Sequence, residues 1–279
     1  MRKPPWLNKK IDLKACHTLK LLLKDLKLHT ICEEAGCPNI SECFSKRTAT
    51  FLILGDICTR NCRFCGVKKG KPCPVDEGEP ERVAEAVRRL NLRHVVITSV
   101  TRDDLPDGGA EQFAQTILSI KKTMAKITIE VLIPDFKGNR RAIERVIETG
   151  PDVIGHNIET VPRLYPDVRQ AADYFRSLEV LKTVKTLSNG IYTKSGLMLG
   201  LGEEEGEVLE VFKALREAEC DFLSLGQYLP PSLKAYPVKE YIHPDKFDDY
   251  KEKALSLGFL YVASGPYVRS SYLAEEYLK

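Results

Sequence analysis

The chain is 279 residues long, 43% apolar and 29% charged, with a formal net charge of +3. A chain of this length buries a core without cross-links, and so small a charge does not argue for a nucleic-acid surface. No apolar run approaches membrane-spanning length, and neither internal repeats nor low-complexity tracts are evident.

Lysines crowd the start, at Lys9, Lys10, Lys14, Lys20, Lys24 and Lys27. They read as a solvated helix face or, more sharply, as a docking surface for an acidic protein. Met1-Arg2-Lys3-Pro4-Pro5-Trp6 lacks the apolar stretch of a signal peptide, and no Arg/Ser-rich transit segment precedes Cys32. A cytoplasmic location is therefore expected. Next come Cys32, Cys37 and Cys43, a C-x4-C-x5-C run. The apolar run from Thr50 to Ile57 reads as a buried strand. It feeds Cys58-Thr59-Arg60-Asn61-Cys62-Arg63-Phe64-Cys65, a C-x3-C-x2-C loop, so that six of the nine cysteines lie within thirty-four residues.

Each triad suits three irons of a [4Fe–4S] cube held through thiolates. The fourth iron is left for another ligand, and that vacancy is where chemistry can happen. Thiolates at i, i+4 and i+7 wrap one cube only from a loop; Thr59, Arg60, Asn61 and Gly66 suit one, and Phe64 would shield the cluster. A disulfide framework fits an odd cysteine count in a reducing compartment poorly. Structural zinc fits poorly too, because two threes are present rather than two knuckles and no His stands at knuckle spacing. Cys16, Cys73 and Cys220 read as small buried hydrophobes.

Beyond Cys65, strand and helix alternate. Helices are expected from Val83 to Leu90, opened by Glu79-Pro80-Glu81 with Pro and acids in the first turn, and over 111–124, 140–149, 173–185 and 203–218. Strands are expected over 94–98, 127–133, 152–155, 193–199 and 221–225. With the strand before Cys58 this makes six βα units, which imply parallel strands with right-handed crossovers. The expected fold is α/β, a partial, open (β/α)6 barrel, with a flat doubly wound sheet as the alternative. Residues 1–48 would form an N-terminal extension carrying the first triad, 49–228 the (β/α)6 core, and 229–279 a C-terminal extension. Asp103, Asp104 and Asp107 read as loop and cap carboxylates, with Mg²⁺ as the sharper alternative. His156 reads as a satisfied structural histidine, and His17, His29, His94 and His243 have no metal spacing.

The C-x3-C-x2-C loop after the first strand of this pattern resembles the radical S-adenosylmethionine superfamily. The upstream C-x4-C-x5-C run narrows the resemblance to the lipoyl synthase family. So do Leu54-Gly55-Asp56, the run from Thr98 to Leu105, Asp107-Gly108-Gly109-Ala110, Pro134-Asp135-Phe136 and His156-Asn157-Ile158-Glu159. Lys194-Ser195-Gly196-Leu197-Met198, Gly200-Leu201-Gly202-Glu203, Gly226-Gln227-Tyr228-Leu229 and Arg269-Ser270-Ser271-Tyr272 complete it, over about residues 28 to 274. The stretch from Lys68 to Glu79 and the tract Val262-Ala263-Ser264-Gly265 depart from the family pattern without touching the cluster ligands.

The resemblance implies two [4Fe–4S] clusters and S-adenosylmethionine as cofactors. Cys58, Cys62 and Cys65 would hold the cube that binds S-adenosylmethionine through its amino and carboxylate groups and, on reduction, yields a 5′-deoxyadenosyl radical. Cys32, Cys37 and Cys43, with Ser271 on the fourth iron, would hold a cube sacrificed as the sulfur source. Implied cofactor contacts are Phe64, Thr98, Ser99, Asn157, Glu159 at ribose, Arg169 at carboxylate and Gly200 at adenine. The implied reaction inserts sulfur at C6 and C8 of an octanoyl chain on a carrier lysine. Implied partners are an octanoylated lipoyl carrier domain or H-protein-like carrier, an electron donor of flavodoxin or ferredoxin type, and a carrier that rebuilds the cluster; neither nucleic acid nor membrane is among them. The alternatives are a biotin-synthase-like sulfur inserter acting on a free small molecule and an iron–sulfur electron carrier. The latter is disfavoured because carriers normally complete four cysteine ligands.

Overall fold

The computed structural model describes residues 2–8, 16–45 and 49–278. Lys9, Lys10 and Lys14 of the basic run lie outside the described residues. The chain falls into two compact units: a first made of Lys10–Arg60 and Val67–Val153, and a second made of Met1–Lys9, Asn61–Gly66 and Ile154–Lys279.

The first unit carries strands β1 (His29–Thr30), β2 (Thr50–Ile53), β3 (Ile57–Cys58), β4 (Lys68–Lys69), β5 (His94–Ser99) and β6 (Thr128–Leu132). Its helices are α1 (His17–Asp25), α2 (Ile31–Glu34), α3 (Ile40–Ser45), α4 (Glu79–Leu90), α5 (Ala110–Thr123) and α6 (Arg140–Ile147). Strand β2 pairs parallel with β5, and β5 with β6; β1 adds an antiparallel edge to β2. Phe51, Ile53, Val95, Ile97, Ile129 and Val131 are fully buried, as parallel strands covered by helices require. The strand expected over 50–57 is interrupted. Leu54 and Gly55 take φ of 69° and 86°, and the carboxylate of buried Glu79 accepts from the Leu54 N–H at 2.9 Å. The turn thus formed starts a separate short strand, β3, paired with β4.

The second unit carries β7 (Val153–Gly155), which begins where the first unit ends, then β8 (Tyr192–Leu199), β9 (Phe222–Gln227) and β10 (Tyr261–Gly265), with helices α7 (Tyr165–Val168), α8 (Tyr174–Leu187), α9 (Glu205–Glu217) and α10 (Pro244–Ser256). Asp173 caps α8 by accepting from the Arg176 N–H at 2.7 Å. Strands β8, β9 and β10 run parallel. The core joins Leu197, Leu199, Leu223 and Leu225 to Val211, Phe212, Leu215 and Phe247. The rings of Tyr250 and Phe259 meet Phe212 edge-on, with centroids at 6.0 and 6.4 Å.

The expected α/β class and its succession of parallel strands are present, and no pairing among the described residues closes a barrel. Strand β10 is an addition: it extends the parallel run beyond the six expected strands. Its residues alternate too weakly to signal a strand, and register with β9 is what makes it one.

Candidate cluster and cofactor sites

The first triad sits on local turns of the first unit. Thr30 caps α2, its hydroxyl accepting from the Glu33 N–H at 3.3 Å. Gly36, with φ of 61°, reverses the chain. The Cys37 N–H reaches the Cys32 carbonyl at 2.9 Å, and the Cys43 N–H reaches the Asn39 carbonyl at 2.9 Å. Cys32 is 7% exposed, and Cys37 and Cys43 are half-buried. Burial, followed by the nearness of Cys37, pushes the Cys32 thiol up to about 12, with Cys43 adding to the rise. A buried thiol crowded by two further sulfurs favours a bound cation, and the set fits one corner-vacant [4Fe–4S] cube. No disulfide joins any of the cysteines.

Beside this triad the fold assembles a group that spacing did not reveal. His29, Glu34 and Asp56 bring their ligand atoms within 4.8 Å of one another, and the Lys68 ammonium pairs with Asp56. His29 was expected to lack metal spacing; the pairing of β1 with β2 and the turn at Leu54–Gly55 supply what linear distance could not.

The N-terminal half of the second triad's loop belongs to the first unit. Cys58 ends β3, and its sulfur accepts from the Arg60 N–H at 3.4 Å. The Thr59 hydroxyl donates to the Thr101 carbonyl at 2.9 Å and accepts from the Asp103 N–H at 3.1 Å. Arg60 is buried, yet its guanidinium makes two bonds to Asp103, at 2.7 and 2.9 Å, and one to Asp135 at 2.6 Å. Burial works against its charge, but the two carboxylates win and hold it protonated. Asp103 is therefore an anchor of the cluster loop. Asp104 pairs with Arg102; Asp107 alone caps α5, accepting from the N–H groups of Gly109 and Glu111 at 2.9 and 2.8 Å.

The C-terminal half lies in the second unit. The Cys65 N–H donates to the Cys62 carbonyl at 3.3 Å. Arg63 is held on both backbone groups, by the Val168 carbonyl and the Tyr236 N–H, each at 2.9 Å, and its guanidinium lies 5.1 Å from the Tyr236 ring centre. Phe64 packs on the hydrophobic core.

Asn157, Glu159 and Arg169 come together in the second unit. Asn157 Nδ2 donates to Glu159 Oε1 at 3.1 Å and to Ser270 Oγ at 2.6 Å. Glu159 takes a left-handed φ of 66°, held by its backbone bonds to Gly196 and Met198, each 2.9 Å. Burial pushes its carboxyl above the ordinary range, against Arg169 and Asn157. Arg169 donates to the Tyr165 hydroxyl and to Ser177 Oγ, both at 3.1 Å. Burial opposes its charge, but Tyr165, Glu159 and Cys62 outweigh it. A fixed cation beside one cluster cysteine and a carboxylate suits a zwitterionic amino acid and its ribose.

The other expected contacts divide. The Thr98 hydroxyl is engaged with the Leu132 carbonyl at 3.0 Å, whereas Ser99 Oγ is buried without a hydrogen-bond partner among the described residues. Gly200 has φ of 97°, and a Cβ there would strike Gln227 and the Glu240 carbonyl, so packing already demands glycine. Ser271 is half-buried, in a turn closed by the Tyr272 N–H on the Arg269 carbonyl at 2.9 Å. His156 is buried, and its backbone N–H donates to the Lys194 carbonyl at 2.9 Å. Cys16 and Cys220 are buried as expected, but Cys73 is exposed, because residues 71–76 cross the surface without regular structure.

Sequence reasoning missed Arg60, Asp135, Tyr236 and Lys194 as members of these sites. Arg60, Asp135 and Lys194 lay in motifs, but nothing in the spacing of Arg60 pointed to Asp135.

Residues 52–226 match the model of the Radical SAM superfamily. The chain is 62% identical to a lipoyl synthase from Caldicellulosiruptor saccharolyticus, covering 100% of this chain and 98% of that one. It is 59% identical to one from Caldanaerobacter subterraneus subsp. tengcongensis, covering 99% and 96%. Among solved structures, methylornithine synthase (PylB) superposes with a TM-score of 0.56 at 13% identity, covering 88% of this chain and 80% of that one. HydG, a maturase of the [FeFe]-hydrogenase, gives 0.57 at 14% identity, covering 91% and 68%. These two show likeness of fold.

Proposed function

We infer the function from one premise: the chain belongs to the lipoyl synthase family of the radical S-adenosylmethionine superfamily. It is a radical enzyme that inserts sulfur, with S-adenosylmethionine and [4Fe–4S] clusters as cofactors. Its substrate, in our reading, is an octanoyl chain in amide linkage to a lysine of a lipoyl carrier protein, and sulfur enters at C6 and C8. Alkane C–H bonds are not acidic, so no side-chain base serves here; the bound cofactors supply one-electron chemistry instead.

Cys58, Cys62 and Cys65 hold the cube that receives S-adenosylmethionine. Arg169 faces the methionine carboxylate, Glu159 accepts from ribose hydroxyls, and Asn157, Ser99 and Thr98 line the methionine end. Phe64 closes the loop against the core, and the Gly200 backbone borders the adenine. Cys32, Cys37 and Cys43 would hold the sulfur-donating cube, with Ser271 as the ligand of its fourth iron. A low-potential flavodoxin or ferredoxin supplies electrons, a cluster carrier restores the spent cube, and the reducing cytoplasm keeps the thiols competent.

The single observation carrying this reading is the first cradle: Cys32 buried with Cys37 and Cys43 close enough to raise its pKa. An enzyme that only cleaved the cofactor needs no such set. The decisive experiment is an anaerobic single turnover of reconstituted protein with S-adenosylmethionine, reductant and an octanoyl-lysyl peptide, followed by mass spectrometry. Gain of two sulfurs with 5′-deoxyadenosine is expected. Cofactor cleavage without sulfur gain would discard the substrate, and normal turnover by Ser271→Cys would discard the serine's role.

A further inference from the structure

The C-terminal segment is threaded against the rest of the second unit at three points. At the first, the Val268 backbone runs so close to Gly226 that a Cβ there would strike the Val268 carbonyl. At the second, Ser270 Oγ accepts the 2.6 Å bond from Asn157. The space for it is kept open by Gly196, whose added Cβ would lie 3.1 Å from Ser270 Oγ and 2.9 Å from Asn157 Oδ1. At the third, the Lys194 ammonium sits 3.7 Å from the Tyr277 ring centre, and Tyr277 packs on Tyr261 and Phe222. Lys194 is 2% exposed, a depth at which an ammonium group needs favourable neighbours. Ser271 lies between the second and third points.

We propose that Asn157 is a positioning residue for Ser271, holding Ser270 so that its neighbour is presented as a ligand, and that its other bond, to Glu159, links this hold to the S-adenosylmethionine pocket. The proposal rests on reading Ser271 as an iron ligand and Glu159 as a cofactor group. The link is chemical: one amide nitrogen has two hydrogens, and here one goes to each site. Pinning the Ser270 side chain restricts the backbone that Ser271 shares with it, inside the turn that Tyr272 closes on Arg269. A cofactor that engages the Glu159 carboxylate fixes the Asn157 amide plane, and a fixed amide holds Ser270 more tightly. Cofactor arrival thereby firms the serine, and cofactor loss loosens it.

Two readouts test this. The first is amide exchange across residues 268–273 in reconstituted protein, with and without S-adenosylmethionine. The second is the Mössbauer spectrum of the first cube alone, in a background of Cys58→Ala, Cys62→Ala and Cys65→Ala. In the unmodified protein, cofactor is expected to slow exchange roughly fivefold, about one net hydrogen bond. Asn157→Ala should abolish that slowing and move the spectrum toward that of Ser271→Ala. Gly196→Ala, whose Cβ also presses on Ser224 Oγ at 2.8 Å, should do the same by crowding the Asn157–Ser270 contact while deleting neither side chain, so it decides the matter if Asn157→Ala fails to fold. If both variants leave both readouts unchanged while Ser271→Ala shifts the spectrum, the positioning role is overturned and the ligand reading stands. If Ser271→Ala leaves the spectrum unchanged, the ligand reading falls and the proposal with it. Exchange that ignores the cofactor in the unmodified protein overturns the link to Glu159.

Discussion

Cys32, Cys37 and Cys43 are presented by turns that close within residues 29 to 45, whereas Cys58, Cys62 and Cys65 stand on a loop gripped from far along the chain. The first cradle relies on a helix cap and two backbone hydrogen bonds of 2.9 Å. The second relies on Arg60 with Asp103 and Asp135, and on Arg63 with Val168 and Tyr236. In our reading the difference matches the two fates. A cube that is consumed and rebuilt is served by a local cradle that reforms by itself. A cube that must orient S-adenosylmethionine is served by a loop braced through tertiary contacts.

The strongest way to break this comparison is to remove one cysteine from each set. Cys58→Ala is expected to reduce cofactor cleavage to background while leaving iron in the first cradle. Cys32→Ala should leave cofactor cleavage running but stop sulfur gain. Iron content, 5′-deoxyadenosine and product mass distinguish them, and identical phenotypes would erase the division of labour. Next in size is Asp135→Ala. It removes one of the two carboxylates that hold buried Arg60 and leaves the Asp103 pair; losing that charged hydrogen bond costs about 1.5–3 kcal/mol, or roughly 3–12 °C in Tm for a chain this long. Calorimetry should register that fall together with loss of the second-triad cube; a shift under a few degrees would mean that the brace is unimportant.

Smaller effects sharpen the cofactor side. Glu159→Gln removes a charged acceptor and should weaken S-adenosylmethionine binding roughly ten- to hundredfold, measurable by calorimetric titration without turnover. The same residue carries a pH signature. Its folded pKa lies above the ordinary 4.5, so between those values the folded chain binds more protons than the unfolded one. The corresponding stability is complete below pH about 4.5 and is lost as pH rises through the folded pKa. Denaturant titrations across that window should show stability falling with pH in the parent and falling less in Glu159→Gln.

Much of this molecule was legible from local signals. The βα alternation, the helix that starts at Asp173 and Pro80 in the first turn of α4 follow from patterns within a few residues. Both cysteine triads are also local, each written in one short stretch of chain. Strand β10 was not legible, since Tyr261–Gly265 acquires its identity only by pairing with β9. The break at Leu54 and Gly55 was hidden as well, because the carboxylate that holds it comes from Glu79.

By itself, the sequence determined the class of fold, the two cradles and, through its motifs, the family. Only the tertiary structure decided which groups brace them. It matched Arg60 to Asp135 across 75 residues and Asn157 to Ser270 across 113. The physical reason is range. Hydrogen-bonded turns and thiolate spacing are written in neighbouring residues, whereas a buried charge or a shared amide finds its partner only after the strands have set the register.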